Sequence, residues 1–192
     1  VGEPGEASLV KSESVVNDQF ILTKPLGTGV LLAGAMRGEV NGMNLKSCLS
    51  AMDQSNAAAA KIFVASGATS MTDVTGFGFL GHLWEMVRGS QFGVRLNISA
   101  IPVFDGVIEL IAGGTTSSLQ KSNESVLQEF VIDSRVDATK LKALVDPQTS
   151  GGLLASVPEN LAPDCLRKLR AAGYPASIVG DVVDSAERAV EP

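Results

Sequence analysis

The chain has 192 residues, of which 45% are hydrophobic and 19% are charged. These values are typical of a folded protein with one core and at most a small appendage. Fifteen basic residues against twenty-one acidic ones give a net charge of −6. This balance disfavours a nucleic-acid-binding protein, because such proteins usually present a basic face. No apolar run reaches the roughly 18 residues of a membrane span, so no membrane partner is expected.

The N-terminal stretch and the cysteines indicate the surroundings in which the protein works. Residues 1–18 carry scattered charges without a clear period, so we predict a linker or extended arm that does not resemble a signal peptide. Cys48 and Cys165 are far apart and the chain has one histidine, which excludes a zinc-type spacing and a disulfide framework. Both cysteines fall on apolar helical patterns and are predicted to be structural. A reducing, cytoplasmic location is therefore expected.

The first third of the chain alternates between strand and helix patterns. A β-rich run at 20–24 ends at a Pro-Gly turn, and a short helix is predicted at 30–35. Asn44 is predicted to cap the next helix, whose apolar residues recur with helical spacing at Leu45, Cys48, Leu49 and Met52. A run of four alanines within residues 56–65 predicts a helix near the centre of the domain, because small residues allow close packing.

The rest of the chain continues with mixed elements. A strand is predicted just before Asp73, followed by helix 79–87 and by strand 94–98, which alternates apolar and polar residues. Residues 115–125 form a polar loop of open role, and the end of the chain after Val183 is predicted to be an acidic tail. The remaining predicted elements are helices at 107–111, 137–145 and 160–172 and strands at 126–132, 153–157 and 178–183.

The most informative stretch runs from Met71 to His82, MTDVTGFGFLGH. Asp73 precedes three closely spaced glycines, and an apolar helix pattern follows. Glycines allow a ligand to approach the backbone, and the first N–H groups of a helix attract anions. A magnesium ion between Asp73 and a phosphate would remove the repulsion between the two negative charges. The alternative is structural: the glycines permit a tight turn and Asp73 caps the helix.

Two simpler interpretations of this stretch are disfavoured. Its glycines fit the dinucleotide pattern G-x-G-x-x-G, but the acidic residue required about 20 positions later is missing. His82 is the chain's single histidine, and a lone histidine is more often structural than catalytic. A second glycine-rich turn, Asp146 to Gly152, contacts a ligand or serves packing alone.

Three motifs together resemble the C-terminal domain of the selenophosphate synthetase (selenide, water dikinase) family. The first is DVTGFG with LGH, starting at Asp73; the second is TKPLGTG, starting at Thr23; the third is DPQTSGGLL, starting at Asp146. They occur in the family's order and cover roughly residues 20 to 183. The elements and the resemblance imply an α+β fold: a layered α/β/α domain with a mixed β-sheet, as in the C-terminal domain of aminoimidazole ribonucleotide synthetase.

The resemblance implies an enzyme that makes selenophosphate from selenide, ATP and water, with release of AMP and phosphate. Residues 19–192 would then be the C-terminal domain of a two-domain synthetase that is a homodimer. Asp73 matches a family magnesium ligand, and Thr75, Gly76 and Gly78 would line the phosphate side of the ATP site. The family's reactive cysteine or selenocysteine and its lysine belong to an N-terminal domain and find no counterpart here. This chain is therefore expected to be inactive alone and to contain no catalytic residue.

Two alternatives remain open. The first is another ATP-dependent enzyme of the same superfamily, such as aminoimidazole ribonucleotide synthetase or thiamine monophosphate kinase. Phe77, the LGH that follows it and the Asp146–Gly152 turn argue against that alternative. The second is a non-catalytic interaction domain that keeps the fold.

Overall fold

A computed structural model describes residues 14–192, and within this range seven strands and eight α-helices are found. The strands are β1 (Asp18–Leu22), β2 (Ser70–Asp73), β3 (Gly93–Asn97), β4 (Val131–Ile132), β5 (Leu153–Pro158), β6 (Ser177–Val183) and β7 (Arg188–Glu191). The helices are α1 (Thr28–Met36), α2 (Gly42–Asp53), α3 (Ala57–Ala65), α4 (Gly78–Val87), α5 (Val107–Ala112), α6 (Gln120–Asn123), α7 (Ala138–Ala143) and α8 (Ala162–Ala171). None of these helices is long and apolar enough to cross a membrane.

The strands form one mixed sheet in the order β2-β5-β1-β6-β3-β7-β4. Strand β1 is central and pairs antiparallel with β5 and β6. Strand β7 pairs in parallel with β3 on one side and with β4 on the other. The mixed sheet predicted from the sequence is therefore confirmed.

Alternate residues of β1 separate the two faces of the sheet. Phe20 and Leu22 point into a core that includes α4, whereas Ile21 packs against α3 and α8 on the opposite face. This alternation is the two-residue period of a strand buried on both sides, and it confirms the layered α/β/α arrangement. A third apolar cluster joins α1, α2 and α5.

Helix α2 differs from its prediction in both its start and its packing. The cap is Asn41, not Asn44: the Asn41 side chain accepts the Met43 N–H at 2.8 Å from an extended backbone. Of the predicted apolar face, only Cys48 is fully buried, while Leu49 is 48% exposed. The pattern identified the helix correctly but overstated how much of it the domain covers.

Helix α3 does not lie near the centre of the domain. Of the four successive alanines at 57–60, Ala59 alone is buried, and Ala57 and Ala58 are exposed. The helix packs against α8 and β5 at the outer face of the sheet. The alanine run is thus explained by helix propensity.

The predicted loop, strand and tail in the second half need correction. Residues 120–123 are helical and a 3₁₀-helix covers Glu124–Glu129, so the strand predicted at 126–132 is reduced to β4. The end of the chain is not a tail, because β7 inserts between β3 and β4. Of the predicted arm, residues 1–13 lie outside the described residues, and Ser14 is buried with its hydroxyl 2.7 Å from that of Ser70.

Candidate functional site

The turn after β2 presents Asp73 at the protein surface. Strand β2 ends at Asp73, whose side chain is exposed, while Val74 is buried in the core and Thr75 is half-buried. Helix α4 begins only at Gly78, after Phe77 in the cap position, and no side chain caps it. The alternative in which Asp73 caps this helix is therefore wrong.

The second glycine-rich turn lies directly against the first. The Val74 N–H donates to the carbonyl of Gly152 at 2.9 Å, and the Gln148 N–H donates to the carbonyl of Thr75 at the same distance. A Cβ at Gly151 would lie 2.1 Å from the Val74 carbonyl oxygen, so only glycine fits there. The two turns form one unit, although 73 and 146 are distant in sequence.

The motif that starts at Thr23 is hydrogen-bonded to the same unit. The Gln148 side-chain oxygen accepts the N–H groups of Gly27 and Thr28, at 3.0 and 3.2 Å, and Asp146 accepts the Val30 N–H at 3.1 Å. These donors belong to the first turn of α1, so side chains of the Asp146–Gly152 turn cap that helix. This role of Gln148 could not be predicted from the sequence, because a cap supplied from a distant turn has no local pattern.

A buried lysine also holds the Asp146–Gly152 turn in place. Lys24 is 2% exposed, and its Nζ donates to the carbonyls of Gln54 at 2.7 Å and Ser150 at 3.1 Å. Burial lowers the pKa of the Lys24 ammonium. Ser150 has a positive φ of 49°, and the lysine fixes its carbonyl in that strained turn. In the sequence, the position of Lys24 between an apolar strand and a proline was the signal that could have predicted a buried, structural lysine.

The glycines at the start of α4 divide into two kinds. Gly78 has a φ of +71°, and a Cβ there would lie 2.8 Å from the carbonyl carbon of Val145, so this glycine is needed for packing. Gly76 has open space where a Cβ would be. It lines a cleft of about 520 Å³ together with the outer face of α1, residues 116–119 and residues 147–149. Of the two, Gly76 is the glycine that a ligand could approach.

His82 lies inside α4 and reaches back to the turn. Its Nε2 is 3.1 Å from the hydroxyl oxygen of Thr75, and its Nδ1 is 3.2 Å from a carboxylate oxygen of Glu85. The ring of Phe77 packs at a tilt beside the imidazole, with ring centroids 5.6 Å apart. The histidine is 4% exposed and contacts Thr75 in the turn.

The donor set around Asp73 fits a magnesium ion only in part. The Asp73 carboxylate is a ligand of the kind that Mg²⁺ prefers, and Mg²⁺ in nucleotide sites often uses one or two protein carboxylates with water and phosphate oxygens. Residues 14–192 contain no group of three or more His, Cys, Asp or Glu side chains that could hold a metal ion. Further ligands would have to come from the nucleotide or from another domain.

Neither cysteine is placed as a nucleophile. Cys48 and Cys165 are both free and buried. Burial, with a smaller effect from the charge of Asp146, raises the pKa of the Cys48 thiol to about 11. Burial also raises the pKa of Cys165. Both thiols are inert by this measure, as the sequence predicted.

Comparison with known proteins identifies the family of proteins that share this fold. Residues 15–191 match the family described as "AIR synthase related protein, C-terminal domain". The chain belongs to this family.

Curated relatives show which enzymes of known activity the chain is similar to. A selenide, water dikinase of Bdellovibrio bacteriovorus is 35% identical over 177 residues, which are 91% of this chain and 51% of the relative. Selenide, water dikinase 2 of Peptoclostridium acidaminophilum is 37% identical over 185 residues, 95% of this chain and 53% of the relative. The chain thus resembles a kinase-type enzyme family and spans about half the length of these relatives.

Solved structures agree on the fold. Thiamine-monophosphate kinase from Stenotrophomonas maltophilia K279a has a TM-score of 0.65 at 14% identity, covering 95% of this chain and 52% of that protein. The hydrogenase maturation protein HypE in complex with ATP has a TM-score of 0.60 at 18% identity, covering 92% of this chain and 45% of that protein. At these identities the likeness concerns the fold alone, and it confirms the fold expected from the sequence.

Proposed function

We propose that this chain is the C-terminal half of an enzyme that makes selenophosphate from selenide, ATP and water, releasing AMP and phosphate. The observation that carries the proposal is Asp73, an exposed carboxylate at the end of β2, three residues before Gly76, which lines a cleft. The 32–37% identity to selenide, water dikinases favours this reaction over the other activities of the fold.

In this proposal Asp73 is one ligand of Mg²⁺ in a composite site. The ion would neutralise phosphate charge when bound, which is the main requirement of phosphoryl transfer. Thr75 and Gly76 lie on the phosphate side of the site. Gly78 acts through packing against Val145, which fixes the start of α4 behind them.

The other half of the site belongs to a second domain. The relatives are about twice as long as the region they share with this chain, and the described residues supply one carboxylate where a magnesium site needs several oxygen ligands. We propose that the missing domain supplies the nucleophile and the remaining ligands, and that the complete enzyme is a cytoplasmic homodimer.

Asp73→Asn in the complete two-domain enzyme tests the proposal. The substitution removes a metal ligand but no packing, because the side chain is exposed. We expect loss of Mg²⁺-dependent AMP release, with a change in unfolding free energy within about 0.5 kcal/mol. Asp105→Asn, at another exposed aspartate, is the matched control and should retain activity. Full AMP release by the Asp73 variant with unchanged Mg²⁺ dependence would refute the assignment.

A further inference from the structure

Asn123 links the two glycine-rich turns of the candidate site. Its side-chain amide nitrogen Nδ2 donates to the carbonyl of Gly76 at 2.9 Å and to the carbonyl of Val145 at 3.0 Å. Gly76 belongs to the turn after β2, and Val145 directly precedes the Asp146–Gly152 turn. One amide group therefore joins two segments that are far apart in sequence. It comes from residues 115–125, whose role the sequence leaves open.

The two contacts determine which way the amide of Asn123 is turned. Both partners are backbone carbonyl oxygens, which only accept hydrogen bonds. If the amide were rotated by 180°, its own oxygen would face both carbonyls, and three acceptors would meet without a hydrogen between them. The NH₂ group therefore faces Gly76 and Val145, and both of its hydrogens are used.

The elements around Asn123 fix its position. It is the last residue of α6, is half-buried, and donates its backbone N–H to the carbonyl of Leu119 at 3.1 Å. Gln120 in the same helix is buried. Further along the chain, Val126 and Leu127 pack against the core that includes α4. Asn123 is thus placed on a segment that is anchored on both sides.

Without this contact, the peptide group between Gly76 and Phe77 would have more freedom to rotate. Gly76 has open space where a Cβ would be, and a glycine has more accessible backbone conformations than other residues. The peptide is trans, so its carbonyl and the Phe77 N–H point in opposite directions. Because Asn123 holds the carbonyl, the N–H is directed away from Asn123. Within residues 14–192 no backbone carbonyl accepts this N–H.

We infer that Asn123 is a positioning residue that keeps the Phe77 N–H available to a phosphate group at the Gly76 turn. An amide hydrogen directed at a phosphate oxygen is a charge-assisted donor, and a carbonyl in the same place would repel the phosphate. The inference rests on the proposed function for the identity of the anion as a phosphate of ATP.

The surfaces on the two sides of this peptide agree with the inference. Gly76 lines the cleft of about 520 Å³, whereas Asn123 lies in the wall of a neighbouring pocket of about 350 Å³ together with Phe77. The Gly76 carbonyl is therefore held away from the cleft. Of the described residues that line the cleft, Arg37 alone is charged, and its positive charge suits an anion.

The first test detects the contact without any ligand. In the ¹⁵N-labelled chain we expect both side-chain amide hydrogens of Asn123 to exchange slowly with solvent, because each is bound to a carbonyl. The side-chain amide of Asn160, an exposed asparagine, should exchange fast and serves as the internal control. Asn123→Leu should broaden or double the backbone signals of Gly76 and Phe77, since the peptide between them can then adopt two orientations. Fast exchange of both Asn123 hydrogens, or single sharp signals for both residues in the variant, would overturn the inference.

The second test measures the consequence for ATP in the complete two-domain enzyme. Asn123→Leu keeps the approximate volume of the side chain, removes both donors and adds no charge. We expect its KM for ATP to rise roughly tenfold, the effect of about one lost hydrogen bond, with kcat nearly unchanged because binding alone is weakened. Asn123→Gln keeps the NH₂ group and should recover most of the affinity. Asn160→Leu is the matched control and should leave KM unchanged.

A purely structural role of Asn123 predicts a different pattern. If the side chain only filled space, leucine would be tolerated better than the longer glutamine, and a loss of folded enzyme would lower the apparent kcat without changing KM for ATP. That order of the two variants, or an unchanged KM in Asn123→Leu, would refute the inference while leaving the proposed function intact. A complete enzyme that releases no AMP from ATP and selenide would instead refute the proposed function, and the amide measurements would still decide whether Asn123 holds the turn.

Discussion

At the scale of single residues, Asp146 shows how a motif residue can serve the fold before it serves a ligand. Its side chain is fully buried and accepts hydrogen bonds from the Val30 N–H at 3.1 Å and the Gln148 side chain at 3.2 Å. Burial raises the pKa of Asp146 to about 6, although hydrogen bonds from Val30, Ser117 and Gln148 act in the opposite direction. The carboxyl group therefore retains its proton more readily in the folded chain than in the unfolded one.

This difference predicts a pH dependence of stability. Between the ordinary aspartate pKa of 3.8 and about 6 the folded chain binds more protons than the unfolded chain, so stability falls as pH rises through this interval and the loss is complete above it. The loss is about 3 kcal/mol, at 1.36 kcal/mol per pKa unit. Asp146→Asn should remove this component, which denaturant unfolding at pH 4 and pH 7 measures.

The control for this experiment is Asp105→Asn, which removes an exposed aspartate. This variant should keep the pH dependence of the unsubstituted chain. If Asp146→Asn keeps it as well, the carboxyl group is not the source.

At the scale of the element, the turn between β2 and α4 shows what a glycine pattern can and cannot predict. The sequence indicated a ligand-facing turn before a helix; in the structure Asp73 is exposed and Gly76 lines a cleft. The pattern could not show that Gly78 is needed for packing and Gly76 is not. The backbone of Val145, which excludes a side chain at Gly78, comes from a distant segment.

Substitution of the two glycines by alanine separates their roles. Gly78→Ala should destabilise the fold by about 2 kcal/mol or more, since a positive φ costs an alanine about 1–2 kcal/mol and its Cβ would also meet Val145 at 2.8 Å. Gly76→Ala meets no atom within 4 Å and should change stability by less than about 0.5 kcal/mol. Thermal and denaturant unfolding give both values; equal losses at the two positions would contradict this reading of the turn.

At the scale of the whole molecule, local patterns predicted most helices and the central strands but not the non-local pairings. The apolar stripe of α4 and the alternating residues of β3 were sufficient to identify these elements. Strand β7 was missed because a parallel strand depends on partners far along the chain, here β3 and β4. The contact between the three motifs was not predicted, since no local pattern brings residue 24 beside residue 150.

The last prediction concerns activity of the whole chain. The described residues form a complete layered core, so we expect residues 1–192 to fold when purified alone and to show a cooperative thermal transition. We also expect no selenophosphate from ATP, Mg²⁺ and selenide, because the described part holds both cysteines buried and offers no cluster of metal ligands. Phosphorus NMR measures the products directly. Addition of the N-terminal half of the enzyme should restore AMP and selenophosphate, whereas selenide-dependent formation of both by the chain alone would show that the active site is complete without a second domain.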